Sequence, residues 1–284
     1  MKELYHVINF SSFTVGTKRL RILNHAIIQE ENNMNYIEKF SLKNKYALIT
    51  GGTGGTGGLG GEIAGAFINA GAKVAVCGNH PEKAEANCLS VKCNIRDEES
   101  VNNLMEVIAN EFGTLDILVN CAGKNILKPA EDYDNSSFLD VMNLNITALH
   151  NVTREAGKRF MIPKKAGKIL SLSSVKSIIG TDKDYIAYCT SKGALNMYTK
   201  QLACEWGKYN INVNAIAPTF VRTAINSFQL DDPEFYNALV NRIPLGRIGS
   251  KQDIASAAIF LCSDASSFIT GQILCVDGGL TAKQ

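Results

Sequence analysis

Residues 46–64 read Tyr46-Ala47-Leu48-Ile49-Thr50-Gly51-Gly52-Thr53-Gly54-Gly55-Thr56-Gly57-Gly58-Leu59-Gly60-Gly61-Glu62-Ile63-Ala64: a short apolar run, a glycine-rich turn and the opening of a helical pattern. The apolar run predicts a buried strand. Beyond the glycines, Ile63, Ala64, Phe67 and Ile68 recur at helical spacing until Gly71 ends the helix. A strand, a turn almost free of side chains and a helix N-terminus in direct succession aim backbone N–H groups and the positive end of a helix dipole at one point. That geometry can hold a pyrophosphate. A flexible linker is also glycine-rich, but it is not wedged between a buried strand and an amphipathic helix. A nucleoside-triphosphate P-loop needs Gly-Lys-Ser/Thr ahead of the helix, and here Gly61 is followed by Glu62.

Outward from this unit, short apolar runs alternate with helical patterns, the signature of repeated βαβ units. Further strands are expected at 73–77, 89–93, 115–119, 168–172, 211–216 and 273–276. Asp97 is placed to cap a helix whose inner face is Val101, Leu104, Met105, Ile108 and Phe112. A long helix is expected from about 137 to 159, another from Tyr188 through Leu195 and Leu202 to Trp206, and a last one over 254–261. The prediction is an α/β fold with a doubly wound (Rossmann) parallel seven-stranded sheet, helices on both faces, in a single domain spanning 34–284. Residues 223–248, with Pro233, Pro244 and mixed charges, read as a surface insertion able to close over a site. Residues 1–33 do not share the rhythm and read as an appended extension.

Of the 284 residues, 45% are hydrophobic, enough for one large α/β domain. A net charge of +2 offers no strong field, so neither nucleic acid nor an anionic membrane is an expected partner. No run approaches the ~18 apolar residues of a membrane span. The extension lacks the apolar core of a secretory signal, and Glu3, Glu30 and Glu31 argue against a transit peptide, which makes the cytoplasm the expected compartment. The eight cysteines show no Cys-x-x-Cys and no Cys/His cluster with metal spacing, so they read as reduced thiols, and no metal is expected. His6, His25 and His150 are isolated.

Tyr188-Cys189-Thr190-Ser191-Lys192 places a phenol and an ammonium four apart, on one helix face, with Ser174 one loop upstream. A cation beside a phenol favours the phenolate, and a tyrosine so placed can act as a general acid/base. The spacing alone also fits an exposed surface pair.

The chain from about residue 40 to 279 resembles the short-chain dehydrogenase/reductase family. Its Thr-Gly-x-x-x-Gly-x-Gly turn is matched at Thr53, Gly54, Gly58 and Gly60, with Leu59 between the last two. Its Asn-Asn-Ala-Gly element is matched at Asn120-Cys121-Ala122-Gly123, and its active-site tetrad at Asn145, Ser174, Tyr188 and Lys192. Asn145 is preferred over Asn143 because Leu144-Asn145-Ile146-Thr147-Ala148 resembles the family's segment. Ala217-Pro218 with Thr223, and Thr270-Gly271-Gln272 with Asp277-Gly278-Gly279, match as well. Because Gly-Gly-Thr is duplicated, Thr50 and Gly51 fit the turn in a second register; the later register is preferred here, with 50–52 as extra loop. Cys121, Thr219 and Asn94 depart from the family's usual asparagine, glycine and aspartate.

The resemblance implies hydride transfer between a nicotinamide and a carbinol or carbonyl carbon. Tyr188 would move the proton, Lys192 would lower the tyrosine pKa and hold the ribose, Ser174 would bind the substrate oxygen, and Asn145 would position a water. It implies cofactor contacts at Gly54, Gly58, Leu59, Gly60, Asn79, Asn94, Asn120, Ala122, Gly123, Pro218, Val221 and Thr223. No carboxylate stands in Gly78-Asn79-His80 to select a free ribose 2′-hydroxyl, so NADP(H) is favoured and NAD(H) remains open. A homotetramer, or else a homodimer, is the implied assembly. The charged loop from Val175 to Tyr185 and Arg222 point to a sugar, sugar acid or polyol, as in the family's gluconate 5-dehydrogenases. A 3-oxoacyl-[acyl-carrier-protein] reductase and a non-catalytic NAD(P)-binding regulator are the alternatives.

Overall fold

The computed structural model describes residues 35–53, 58–81, 88–223 and 226–283. The chain divides into two units, Met1–Lys39 and Phe40–Gln284, and everything below concerns the second. Its seven strands are β1 (Tyr46–Thr50), β2 (Lys73–Gly78), β3 (Leu89–Lys92), β4 (Ile117–Asn120), β5 (Gly167–Leu172), β6 (Ile211–Pro218) and β7 (Ile273–Val276). They form one sheet in the order β3-β2-β1-β4-β5-β6-β7, every pair parallel.

Successive residues of a strand face opposite sides of a sheet, and buried strands therefore feed two cores. Ala47 and Ile49 of β1, Val74 and Val76 of β2, and Ile117 and Val119 of β4 pack against Ile63, Ala64 and Phe67 of α1 (Leu59–Asn69). Ile254, Ala258 and Leu261 of α7 (Lys251–Cys262) join them on that face. Leu48, Ala75 and Leu118 face the other way. They meet Val101, Leu104, Met105 and Ile108 of α2 (Glu98–Phe112), with Val152 and Ala156 of α3 (residues 135–164) and Leu202 and Ala203 of α4 (Ile186–Trp206). Phe67 is completely buried, worth on the order of 2–3 kcal/mol relative to an exposed ring.

The long helix α3 runs further than the sequence pattern indicates. It begins at Asn135–Met142, where Asp134 accepts the Ser137 N–H as a cap, and ends at Ile162–Lys164, where Lys165 turns left-handed at φ 53°. Between these, π-helical stretches at Asn143–Ala148 and Gly157–Met161 flank Leu149–Ala156, with right-handed backbone at every junction. Trp206 lies over Gly157, where a Cβ would sit 2.2 Å from the indole; this is packing within the chain.

Parallel register brings the carboxyl ends of β1, β2, β4 and β5 level, with Thr50 opposite Cys77 and Asn120, and Asn120 opposite Ser171. The strand order reverses between β1 and β4. In doubly wound sheets the ligand crevice opens at that switch point.

Candidate active site

At the switch point, Thr50 Oγ1 accepts the N–H groups of Cys121 at 3.2 Å and Ala122 at 3.3 Å, stitching the end of β1 to the end of β4. Gly51 follows at φ +71°, so tight against Ala122 that a Cβ would lie 2.8 Å from the Ala122 Cα. A Cβ on Gly60 would lie 2.8 Å from the Gly51 carbonyl oxygen. Only glycine fits at either place. This corrects the register expected from sequence: Thr50 and Gly51 open the turn, instead of forming extra loop ahead of Thr53 and Gly54. Gly54 lies outside the described residues. Gly58 is the N-cap of α1, extended and without a side-chain cap, leaving the first N–H groups of that helix available to an anion.

A cleft of about 1200 Å³ runs from this turn past the end of β2 and along the ends of β4, β5 and β6. Its wall includes Gly58, Leu59, Gly60, Asn79, Asn94, Ala122, Gly123, Pro218, Val221 and Thr223, all residues that the resemblance names as cofactor contacts. Asn120 departs from expectation. Its side chain is buried beneath the wall, donating to Thr153 Oγ1 at 3.0 Å and Ser171 Oγ at 3.5 Å, so it braces β4 against α3 and β5. Asn226, which no motif marks, staples the loop after Pro218 by accepting the Thr223 N–H at 2.8 Å and donating to the Val221 carbonyl at 2.9 Å.

Ser174, Tyr188 and Lys192 line the same cleft. Ser174 follows β5 and is held there by a small network: Ser173 Oγ donates to Asn196 Oδ1 at 2.7 Å, and Asn196 Nδ2 donates to Ser177 Oγ at 2.7 Å. The Ser174 hydroxyl accepts the Lys176 N–H at 3.2 Å, and its side chain acts electrostatically on the Tyr188 phenol. One turn along α4, Lys192 Nζ donates to the Leu172 carbonyl at 2.6 Å and stands 5.6 Å from the Tyr188 ring centroid.

The sequence expectation that the ammonium draws the phenol toward neutrality is not met in this structure. Burial acts on both groups: it pushes Tyr188 up to about 12, against the opposing pull of the Ser174 side chain. It also presses Lys192 down to about 8, against the attraction of Cys121. The lysine sits over the ring face with its proton committed to a carbonyl, and desolvation outweighs the charge it can lend. The pair at neutral pH is a protonated phenol beside a lysine close to its own titration.

Asn145 lies in the first π-helical stretch of α3, buried, while Asn143 is exposed. Its Oδ1 accepts the Lys124 N–H at 2.9 Å, and its Nδ2 donates to the Lys124 carbonyl and to Ser191 Oγ, both at 2.9 Å. Ser191 in turn donates to the Tyr188 carbonyl at 2.8 Å. Asn145 therefore positions the loop after Gly123 and the helix carrying Tyr188, and a Cβ on Gly123 would lie 3.3 Å from its oxygen and 3.7 Å from Lys192 Nζ. Extra backbone in a helix frees such a side chain to turn inward, as π-bulges at functional sites do.

Arg222 does not face the reacting groups. It is paired with Asp231 at 2.6 Å and donates to the Leu230 carbonyl at 3.0 Å, on the outer side of the 223–248 insertion. That insertion folds as α5 (Ser227–Leu230) and α6 (Pro233–Val240) around its own small core of Leu230, Leu239 and Ile243. Phe228 and Gln229 of α5 reach the cleft.

Residues 52–281 match the family profile described as enoyl-(acyl carrier protein) reductase. A chloroplastic tropinone reductase homolog of Arabidopsis thaliana is 37% identical over 257 residues, covering 86% of this chain and 78% of its own. A gluconate 5-dehydrogenase of Gluconobacter oxydans is 33% identical over 88% of this chain and all of its own length. A D-threitol dehydrogenase of Mycolicibacterium smegmatis is 35% identical over 86% of this chain and 95% of its own. Among solved structures, a gluconate 5-dehydrogenase from Burkholderia cenocepacia in complex with NADP and tartrate superposes with a TM-score of 0.82 at 31% identity, covering 88% of this chain and 100% of that one.

Proposed function

The chain belongs to the short-chain dehydrogenase/reductase family, and on that premise we propose that it is an NADP(H)-dependent oxidoreductase interconverting a secondary hydroxyl of a sugar, sugar acid or polyol with the ketone. The observation that carries the reading is the convergence of Ser174, Tyr188 and Lys192 on the wall of the cleft that Gly51, Gly58 and Gly60 also line. The cleft fits a dinucleotide on this chain's own features. Gly51 and Gly60 leave no room for side chains, the α1 N-terminus is uncapped, and the buried Thr219 Oγ1 has no hydrogen-bond partner among the described residues. No aspartate or glutamate lines the described cleft, and Asn79 stands where an acid would repel a 2′-phosphate. The NADP complexes of related gluconate 5-dehydrogenases support the same choice.

When bound, the dinucleotide supplies the hydride acceptor or donor. Ser174 holds the substrate oxygen through its hydroxyl, and Tyr188, protonated at neutral pH, gives its proton to that oxygen in reduction and recovers it in oxidation. Lys192 supplies positive charge next to the phenol as it ionises. Asn145 keeps Lys124 and the Tyr188 helix in place. A homotetramer in the cytoplasm, with residues 1–33 as an extension outside the catalytic domain, completes the proposal; light scattering of the purified protein checks the assembly.

The test is a spectrophotometric screen of aldonates, aldoses, polyols and ketones with both coenzymes, set beside acetoacetyl and enoyl thioesters. Sugar or polyol turnover lost by several orders of magnitude in Tyr188→Phe, with coenzyme binding retained, is the expected result. Thioester reduction without sugar activity would transfer the protein to the acyl-reductase reading. Coenzyme binding with no turnover on any class would transfer it to a regulatory one.

A further inference from the structure

Four lysine or arginine side chains line the described cleft: Arg96, Lys124, Lys176 and Lys192. Three have a partner within the protein. Arg96 and Lys124 converge on Asp140, and Lys192 is held by the Leu172 carbonyl. The Lys176 ammonium makes no ion pair and no hydrogen bond among the described residues. It stands 5.3 Å over the Tyr185 ring, which itself meets the Tyr188 ring edge-on at 6.1 Å between centroids. Those two legs put the ammonium no more than about 11 Å from the catalytic ring.

Lys176 is half-buried, on the short turn Val175–Ser177 directly after Ser174. Burial lowers its pKa first of all, Cys189 and Asp182 raise it, and Arg242 lowers it. No carboxylate stands in the described lining of the cleft, and Asp182, whose field reaches the ammonium, lies outside that lining and makes no ion pair with it. A partly buried ammonium with no ion pair is costly, and a ligand anion removes that cost.

We propose that the Lys176 ammonium receives a carboxylate of the substrate carried a few carbons from the reacting carbinol, so that this residue selects sugar acids over neutral polyols. The assignment rests on the sugar-acid and polyol reading above and narrows it. It also moves the anion-recognising role from Arg222, which is committed to Asp231, to a residue inside the cleft.

The experiment compares kcat/KM for D-gluconate and for D-sorbitol in the full-length wild type, Lys176→Met, Lys176→Arg and Arg222→Met. Losing one charge-assisted contact should lower the gluconate-to-sorbitol ratio of Lys176→Met by about tenfold or more, mainly through the gluconate KM. Lys176→Arg should recover most of the ratio, and Arg222→Met should leave it within about twofold. A ratio unmoved in Lys176→Met, or a loss that arginine does not restore, overturns the assignment. Titration of tartrate into NADP-saturated protein gives the second readout. If the wild type oxidises neither substrate, the sugar reading fails by itself; a tartrate Kd that rises tenfold in Lys176→Met then upholds the anion site, and an unchanged Kd removes it.

Discussion

Replacing Lys192 by methionine should flatten the alkaline side of the stability profile. Burial lowers the pKa of this lysine from 10.5 to about 8 in the folded protein. Between those values the unfolded chain holds the proton and the folded chain has released it, so stability rises with pH through the window, and the lysine is most destabilising below about pH 8. From pH 7 to pH 10 the gain attributable to this group is on the order of 2–3 kcal/mol. Methionine keeps the stem and removes the titration. It also strands the Leu172 carbonyl, now bonded to Lys192 at 2.6 Å, at a cost of about 1–3 kcal/mol that does not vary with pH. The two profiles should therefore cross or converge near neutrality and diverge as pH rises. Tyr188, with its pKa pushed up to about 12, keeps its proton over the same range in both proteins. Urea unfolding of wild type and Lys192→Met at pH 7, 8, 9 and 10 measures the difference directly. Parallel profiles, within about 0.5 kcal/mol, would refute the idea that Lys192 is held in the site at the expense of stability.

Two further outcomes follow from the cofactor end of the cleft. Gly60→Ala puts a methyl 2.8 Å from the Gly51 carbonyl, so the turn must open; coenzyme KM should rise tenfold or more with the fold retained by circular dichroism, and an unchanged KM would show the turn is not the cradle. Asn79→Asp should shift the kcat/KM ratio of NADP(H) to NAD(H) toward NAD(H) by tenfold or more, and a wild-type enzyme already preferring NAD(H) tenfold would contradict the reading of the β2 terminus.

Most of the strand pattern was legible because buried parallel strands are short apolar runs with little else to be. The departures have local causes. β4 begins at Ile117, two residues later than expected, because the Asp116 side chain accepts the Tyr46 N–H and its own N–H reaches the Tyr46 carbonyl, ending the run of apolar contacts at a polar corner. β6 continues to Pro218 because the neighbouring strand β7 is there to pair with it, Pro218 opposite Val276. The helices of the 223–248 insertion were missed because Asp232 caps α6 just ahead of Pro233, and a proline read as a breaker is instead a helix start. The proposed catalytic side chains were legible through the family resemblance, since the four-residue spacing alone fits a surface pair as well, but their electrostatics were not. Which way Tyr188 and Lys192 shift depends on how deeply α4 is packed, and four-residue spacing carries no information about depth.

The duplicated Gly-Gly-Thr shows how far a register can be settled by contact. Sequence offers Thr50-Gly51 and Thr53-Gly54, with the later register preferred from its spacing to the helix, and the two differ only in which side of the turn carries the extra residues. Contact with β4 separates them: a side chain at Gly51 would collide with Ala122, and Thr50 is the hydroxyl that two N–H groups of the β4 terminus require. The added length therefore falls after Gly51. Thr53, in that added stretch, lies against the end of β2, where a Cβ on Gly78 would meet its Oγ1 at 2.2 Å. Gly78 directly precedes Asn79, so the insertion leans on the backbone that presents the ribose-reading residues. A side chain at position 78 would therefore collide with Thr53, and glycine is required next to Asn79.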